Sequence, residues 1–320
     1  MSTNLPLFDE PDPNRFDREA LAEKLRQLAS QQIYIGGSSW KYEGWLGQVY
    51  TPERYFTRGK FSQKKFQEKC LEEYAETFPV VCGDFSFYQF PSEQFWQKLF
   101  AGTPPGLKFA FKVPEEITRK TFPDQPRYGP RAALPNPTFL DPAMFDSAFI
   151  QPLLPYQDRI AVLIFEFGTF AKKTYGDVTE FLADLDPFLA SLPPGFRYAV
   201  EVRNEDYLRP EYFEMLRKHS VAHVFNGWTR MPPLRKQIVL PDAYTTDFIV
   251  ARALLKTGRA YEEAVKSFAP YATTQEENTG ARAALRDLIE RARNRKIPAY
   301  LFVNNRMEGN SPMMIKAVVD

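Results

Sequence analysis

Residues 197–204 read RYAVEVRN, and this stretch decides between the folds that the rest of the chain allows. Successive side chains of a β-strand point to opposite faces, so residues two apart share a face. Glu201 and Arg203 therefore lie on the face of Ala199, opposite to Val200. A carboxylate and a guanidinium on one face, at the end of an apolar strand, indicate either an isolated ion pair or the polar opening of a site.

Seven further apolar runs resemble this strand, and helical patterns separate most of them. The predicted strands cover 33–40, 80–88, 107–113, 158–168, 221–228, 246–255 and 298–305, and the predicted helices cover 17–30, 62–78, 92–102, 141–156, 177–192, 210–220, 279–296 and 311–319. Alternating strands and helices are typical of parallel sheets, and eight repeats predict an α/β protein with a (β/α)8 TIM barrel. A doubly wound open sheet is the alternative, but the chain has no GxGxxG or GxxxxGK[ST] motif.

The predicted organisation is a single barrel domain over residues 31–320. A polar N-terminal tail and a short helix precede it over residues 1–30. A proline-rich excursion, residues 114–143, follows the third strand. Loops of this length are usually functional or disordered.

The composition excludes several classes of protein. Lys plus Arg total 41 and Asp plus Glu total 40, which argues against a protein that coats nucleic acid by bulk charge. The two cysteines, Cys70 and Cys82, lie in apolar patterns and predict reduced core residues rather than a disulfide framework. With two histidines, His219 and His223, no zinc site is expected. Neither a signal peptide nor a transmembrane run is visible, so we expect a cytoplasmic protein that does not bind membranes.

The ends of the predicted strands share a polar character. In a TIM barrel the site lies where the strands end, whereas the interior is normally packed with branched apolar residues. Nearly every predicted strand here ends near a charged, amide or aromatic side chain. The candidate site residues are Trp40, Tyr42, Trp45, Asp84, Tyr88, Lys112, Glu166, Glu201, Arg203, Asn226, Trp228, Arg252, Asn304, Asn305 and Arg306.

Two of these residues predict general acid–base chemistry. Glu166 and Glu201 end neighbouring strands, and paired carboxylates can divide acid and base roles when their pKa values separate. We expect Glu201 to act as the base and Glu166 as the acid, with Lys112 or Arg203 keeping one of them ionised. The alternative is an Arg–Glu network that only orders the barrel opening.

The remaining candidates predict the ligand. Four cations fit a phosphate or carboxylate: Lys112, Arg203, Arg252 and Arg306. Five aromatic side chains fit a sugar or base that stacks on them: Trp40, Tyr42, Trp45, Tyr88 and Trp228. The expected partner is thus a small anionic or sugar-like ligand, with nucleic acid or non-catalytic binding as alternatives. No cofactor is predicted, although Asp84 and Glu166 are compatible with Mg²⁺. The oligomeric state stays open.

The same residues carry a resemblance to a known family. The chain is similar to the domain-of-unknown-function 72 (DUF72, YecE-like) family from about residue 33 to 319. The resemblance implies a TIM barrel and leaves the activity open, with DNA processing suggested only by a fold analogy to endonuclease IV. The motifs that carry it are IGGSSWKYEGWLGQVY (35–50), FSFYQFPS (85–92), FKVPEEIT (111–118), YAVEVRN (198–204) and FVNNRMEGNSP (302–312).

The chain also departs from the family pattern. Cys82 occupies the position of a usual glutamate, Asp84 that of an asparagine, and Arg119 that of a histidine. The first strand carries Gly36-Gly37 where the family usually has Gly-Thr, and a His-Gly pair after the seventh strand is missing. The resemblance therefore implies that any chemistry of the family glutamate and histidine is changed or lost here.

Overall fold

Eight parallel strands close into a barrel in a computed structural model that describes residues 16–320. Neighbouring strands in the chain are neighbours in the barrel, and β1 pairs with both β2 and β8. The α/β TIM-barrel prediction is confirmed. The strands are β1 (Ile33–Gly37), β2 (Val80–Gly83), β3 (Lys108–Lys112), β4 (Ile160–Glu166), β5 (Tyr198–Glu201), β6 (Ala222–Gly227), β7 (Ile249–Ala253) and β8 (Ala299–Val303).

Helices cover the outside of the barrel. The longer ones are Arg18–Ser30, Gln63–Thr77, Glu93–Ala101, Val178–Ala190, Pro210–Lys218, Tyr261–Phe268, Thr279–Arg295 and Ser311–Val319. Short α-helical turns lie at Phe85–Tyr88, Glu115–Thr118, Pro142–Phe145, Gln151–Leu153 and Leu234–Gln237, and a π-helical turn lies at Asp146–Ile150. Side-chain caps begin several of these helices, for example Ser62 and Ser92, which accept main-chain N–H groups three residues on.

Some predicted boundaries are wrong. The predicted strand 80–88 ends at Gly83, because Asp84 adopts a helical backbone conformation and Phe85–Tyr88 forms a helical turn. The segment 141–156 is helical at its start, as predicted, and continues as successive π, α and 3-10 turns. A two-stranded hairpin, Phe56–Thr57 with Lys60–Phe61, was not predicted.

Side-chain alternation divides the barrel into an interior and an outer layer. One apolar cluster fills the interior with residues such as Val162, Val224 and Phe302. The opposite faces of the strands pack against the helices in a second, larger cluster. His223 belongs to that outer layer, where it contacts Tyr212, as its position in the strand predicts.

The first helix packs against the barrel. Its own residues Leu21, Leu25 and Leu28 are buried. Arg18 of the same helix pairs with the buried carboxylate of Glu73 at 2.9 Å. Residues 16–30 are thus part of the packed structure. Residues 1–15 of the expected polar tail lie outside the described part of the chain.

Glu115 orders much of the proline-rich excursion. Its buried carboxylate accepts hydrogen bonds from Arg119 Nε at 2.6 Å, Arg127 Nη2 at 3.0 Å and the Tyr128 hydroxyl at 2.9 Å. The excursion is therefore a folded segment of irregular turns. Among residues 16–320, no helix combines the length and the apolar character that crossing a membrane requires.

Candidate functional site

The polar residues of the candidate site continue the interior face of the strands. Each lies two positions after a buried interior residue of its own segment, and on the strands the period of two turns it toward the barrel axis. Asp84 has a helical backbone conformation instead and reaches the same layer from the turn after β2. The pairs are Cys82 with Asp84, Ala110 with Lys112, Ile164 with Glu166, Ala199 with Glu201, Val224 with Asn226, Val250 with Arg252 and Phe302 with Asn304. The apolar interior is thereby closed at the carboxyl ends of the strands by a polar layer.

Three cations and three carboxylates meet in this layer, and we call them the charged cluster. Glu166 Oε2 lies 2.8 Å from Arg252 Nη1, 3.1 Å from Arg203 Nη2 and 3.2 Å from Lys112 Nζ. Glu201 bridges the two arginines, at 2.5 Å from Arg252 and 2.6 Å from Arg203. Register places Glu166 directly beside Glu201. The predicted proximity of the two glutamates at neighbouring strand ends is thus what the structure shows.

Asp84 completes the charged cluster at its outer side. Its Oδ1 atom lies 3.4 Å from Arg252 Nη2 and 3.6 Å from Lys112 Nζ. Its side chain is 33% exposed, against 15% for Glu166 and 0% for Glu201. The carboxylates therefore form a gradient, from Asp84 at the opening to Glu201 at the floor.

Within the charged cluster, ion pairs shift the pKa values of Glu166 and Lys112 toward their charged forms. Burial opposes the charge on Glu166, but Lys112, Arg203 and Arg252 outweigh it and hold the pKa of this carboxyl well below its usual range. Burial likewise opposes the charge on Lys112, but Asp84 and Glu166 raise the pKa of its ammonium. Glu166 cannot serve as a proton donor at neutral pH, because its carboxyl is already deprotonated. This direction argues against the acid role predicted for Glu166.

The arginines keep donors that no protein acceptor uses. Nε and Nη1 of Arg203 and Nε of Arg252 are buried without a hydrogen-bond partner, and so is the acceptor Oδ1 of Asn226. Buried polar groups in folded proteins are nearly always paired. These guanidinium N–H groups are therefore donors for which the described protein atoms provide no acceptor.

Aromatic rings and a further arginine surround the opening. The Arg203 guanidinium lies 3.8 Å from the ring centre of Trp228, and the Trp228 ring lies 6.4 Å from that of Tyr261. Arg306 lies 4.5 Å from the Tyr261 ring centre. Tyr42 packs 5.4 Å from Tyr271, and the charges of Arg306 and Asp84 reach it. We call this arc of rings and Arg306 the aromatic rim.

Tyr261 and Tyr271 belong to the aromatic rim but were not predicted. They lie in the segment after β7, whose sequence shows no clear period. The sequence position of both residues nevertheless indicated the rim, because they follow β7 and a TIM barrel places the segment after each strand at the carboxyl ends of the strands.

Other predicted residues have structural positions instead. Trp45 is buried in the outer layer and donates its indole N–H to Asn305 Oδ1 at 3.3 Å. Trp40 packs edge-on against Phe85 at 6.1 Å. Tyr88 lies on the unpredicted helical turn, 59% exposed. Of the five residues of the predicted stacking wall, Tyr42 and Trp228 lie in the aromatic rim. Trp45 is buried, Trp40 packs against Phe85, and Tyr88 lies close enough to Lys112 to raise the pKa of its ammonium.

Asn304 and Asn305 hold the loop after β8 in place. Asn304 donates to Ser38 Oγ at 2.6 Å and accepts from the main-chain N–H of Arg306. Asn305 Oδ1 accepts from Ser311 as well as from Trp45. Their side-chain hydrogen bonds are directed at the protein, so we assign both a positioning role.

Two of the departures from the family pattern, Cys82 and Arg119, have clear surroundings. Cys82 is fully buried on the interior face below the charged cluster, and burial raises the pKa of its thiol to about 12. It is therefore a neutral thiol rather than a nucleophile at neutral pH. Arg119 pairs with Glu115 in the excursion and lies 5.5 Å from the ring centre of Phe87.

A divalent metal does not fit the charged cluster as it stands. Among residues 16–320, no three His, Cys, Asp or Glu side chains are grouped as ligands for an ion. Asp84 and Glu166, the pair compatible with Mg²⁺ by sequence, both face Lys112. A cation placed between them would meet this ammonium and the Arg252 guanidinium, so repulsion opposes it.

Fold and site together define a TIM barrel with a charged and aromatic opening at the carboxyl ends of its strands. Residues 34–320 match the family described as "protein of unknown function DUF72", and the chain belongs to this family. The resemblance seen in the sequence is thereby confirmed.

Two solved structures share the fold. A DUF72 family protein from Thermotoga maritima aligns with a TM-score of 0.57 and 21% identity, covering 90% of this chain and 96% of that one. A DUF72 family protein from Enterococcus faecalis aligns with a TM-score of 0.58 and 16% identity, covering 90% and 95%. No curated protein matches the chain.

Proposed function

We propose that this protein is an enzyme that binds a small ring-bearing anion, such as a phosphorylated sugar, at the carboxyl ends of the barrel strands. The observation that carries the proposal is the set of buried guanidinium N–H groups without partners, Nε and Nη1 of Arg203 and Nε of Arg252. Phosphate and carboxylate oxygens are the acceptors that an arginine fork binds best.

The surroundings of these donors favour a ring attached to the anionic group. Trp228 and Tyr261 lie directly beside Arg203 in the aromatic rim. Tyr and Trp side chains offer an apolar face and a polar edge, which suits a sugar or another ring. The cluster is also nearly buried, with Glu201 and Arg252 below 2% exposed, so a small ligand suits it better than a duplex.

The charges assign roles in general acid–base chemistry. Glu166 is ionised and partly exposed, so it is the candidate base. Lys112, kept protonated by Asp84 and Glu166, is the candidate proton donor. Glu201 is completely buried between two arginines and acts as a positioning residue for them. This assignment replaces the roles that the sequence alone predicts for the two glutamates.

Ligand-induced stabilisation tests the binding part of the proposal. Glucose 6-phosphate and glucose are compared in thermal unfolding of wild type, Arg203→Lys and Arg217→Gln. Arg203→Lys retains the positive charge beside Glu201 but loses the Nε and Nη1 donors, whereas Arg217 lies on an outer helix and pairs with Asp242 at the surface. A ligand at about a hundredfold excess over its Kd stabilises the folded state by about 2.7 kcal/mol.

We expect glucose 6-phosphate to raise the Tm of wild type and Arg217→Gln, with a much smaller rise for Arg203→Lys and for glucose. An equal rise in wild type and Arg203→Lys would contradict the site. If only short single-stranded DNA raises the Tm, the nucleic-acid alternative replaces the proposal. Binding and conversion of the ligand are then compared in wild type and Glu166→Gln. Equal binding with conversion by wild type alone would support an enzyme, whereas binding without conversion by either would support a non-catalytic binder.

A further inference from the structure

A second cavity lies at the opposite end of the barrel from the charged cluster. It has a volume of about 390 Å³, within the range of small-molecule sites. Its lining comes from the amino-terminal ends of the strands, the end of a TIM barrel that usually serves stability. The polar lining residues include Tyr34, Lys108, Gln157, Asp158, Arg197 and Tyr300.

Two tyrosines form one wall of this cavity. Tyr34 and Tyr300 are register partners on β1 and β8, and their rings stack at 5.5 Å with an interplanar angle of 12°. Most interior residues above them are small or apolar, as expected inside a barrel. At the amino-terminal ends of the strands, the stacked Tyr34 and Tyr300 rings therefore form a flat surface that carries hydroxyl groups.

Arg197 faces this wall, Lys108 also lines the cavity, and the two cations outnumber the carboxylates of the lining. The Arg197 guanidinium lies 5.8 Å from the ring centre of Tyr300, and within residues 16–320 no carboxylate lies within ion-pair distance of it. Lys108 donates to the main-chain oxygen of Asp158, a neutral partner, and forms no ion pair with a carboxylate among residues 16–320. Asp158 provides the lining's carboxylate, which leaves an excess of positive charge.

The edge of the cavity is sterically fixed. Gly195 has a φ of +95°, and a Cβ atom there would lie 2.2 Å from Gln157 Nε2. Gln157 Nε2 also donates to the Gly195 carbonyl. This contact between Gly195 and Gln157 fixes the loop that precedes Arg197, and thereby the backbone position of Arg197.

We infer that this cavity is a second binding site, for a small anion with a carboxylate or phosphate group, which Arg197 and Lys108 bind beside the Tyr34–Tyr300 wall. The site is separate from the charged cluster: Lys108 and Lys112 end β3 at opposite sides, about 13 Å apart at 3.3 Å per residue. Buried residues such as Val162 and Phe302 lie between the two sites.

Tyrosine-selective NMR of the full chain tests the inference, because the readout lies inside the cavity. Inorganic phosphate and succinate are titrated separately into wild type, Arg197→Gln and Lys108→Gln. The Tyr34 and Tyr300 signals are assigned from Tyr34→Phe and Tyr300→Phe. Arg131→Gln is the matched control, since Arg131 is an exposed arginine in the excursion after β3.

We expect at least one of the two anions to shift the Tyr34 and Tyr300 signals in wild type and Arg131→Gln with the same saturable curve. The apparent Kd should increase about tenfold or more in Arg197→Gln and in Lys108→Gln. A shift by phosphate alone, or by succinate alone, identifies the group that is bound. Signals that stay unmoved by both anions, or curves that Arg197→Gln leaves unchanged, would overturn the inference.

Discussion

Glu201 shows, at the scale of one residue, how much structure a polar layer inside a barrel requires. Its carboxylate is completely buried and contacts Arg203 and Arg252 at 2.6 and 2.5 Å. A buried charge is expensive unless partners surround it, and removing one partner leaves the others uncompensated. The residues of the charged cluster are therefore expected to be energetically coupled.

Glu201→Gln is expected to lower the free energy of unfolding by about 3 kcal/mol, because two buried guanidinium groups lose their shared counter-charge. Urea unfolding monitored by circular dichroism measures this loss. Glu23→Gln, which removes an exposed pair with Arg26, should leave the free energy of unfolding close to that of wild type. Equal losses in the two variants would mean that the cluster is not a coupled unit.

His223 makes the stability of the protein depend on pH. The residue is buried among Tyr212, Phe213 and Phe225, and burial lowers its pKa to about 3. The unfolded chain titrates near pH 6.5. Between these values the unfolded state binds a proton that the folded state does not, so stability falls as the pH is lowered.

This linkage predicts that lowering the pH from 7 to 5 costs about 2 kcal/mol of unfolding free energy through His223. His223→Phe, which suits the surrounding rings, should lose that part of the pH dependence. Urea unfolding at both pH values measures it. His219→Phe, at the surface pair with Asp186, should retain the His223 contribution. An unchanged slope in His223→Phe would contradict the linkage.

At the scale of elements, Glu73 connects three segments of the chain. Its carboxylate accepts hydrogen bonds from Arg18 of the first helix, from the main chain and hydroxyl of Thr51, and from the Tyr55 hydroxyl. These hydrogen bonds outweigh burial and lower the pKa of Glu73. One side chain thus fixes the long connection after β1 against the helix Gln63–Thr77.

Glu73→Gln should destabilise the protein by about 3 kcal/mol, because the neutral amide cannot match this set of donors and leaves Arg18 without its buried partner. Thermal and urea unfolding measure the effect. Glu72→Gln is the control on the same helix, since Glu72 is exposed and pairs with Lys69 at 3.8 Å. Similar losses in both variants would show that Glu73 does not connect the segments.

The elements also show what the sequence was able to predict. The barrel and the inward direction of Glu166, Glu201 and Arg252 follow from strand alternation, a local property that survives folding. The extension of β2 to residue 88 was wrong, because Asp84 turns the chain and Ser86 donates to the Lys112 carbonyl at 2.7 Å. That hydrogen bond joins the helical turn after β2 to the end of β3. The local hydrophobic pattern does not indicate such a contact.

The composition of the candidate site was partly predictable for the same reason. Residues on strand ends were found, since eight parallel strands bring their carboxyl ends together. Trp45 was misassigned because an aromatic residue in a loop has no period that shows whether it faces the core. The pairing of Tyr261 with Trp228 and Arg306 depends on loops far apart in the chain.

At the scale of the whole molecule, the barrel is closed at one end by charge and braced at its outer surface by the first helix. The family match begins at residue 34, after this helix. Nevertheless, Leu21, Leu25 and Leu28 are buried between the helix and the barrel, and Lys24 pairs with Asp320 near the end of the chain at 2.7 Å. The helix is therefore expected to be needed for the stability of the barrel.

A chain that starts at Gln32 should lose about 5 kcal/mol of unfolding free energy, since fully burying one leucine is worth about 1.5–3 kcal/mol and three are lost. The faces of β1 and of the helices Gln63–Thr77 and Ser311–Val319 that pack against the first helix would then be exposed to water. Thermal unfolding and size-exclusion chromatography should show a lower Tm and a greater tendency to associate. The double variant Glu23→Ala/Arg26→Ala changes only the outer face of the helix and should unfold close to wild type. A truncated chain with the Tm of wild type would show that the barrel is complete without this helix.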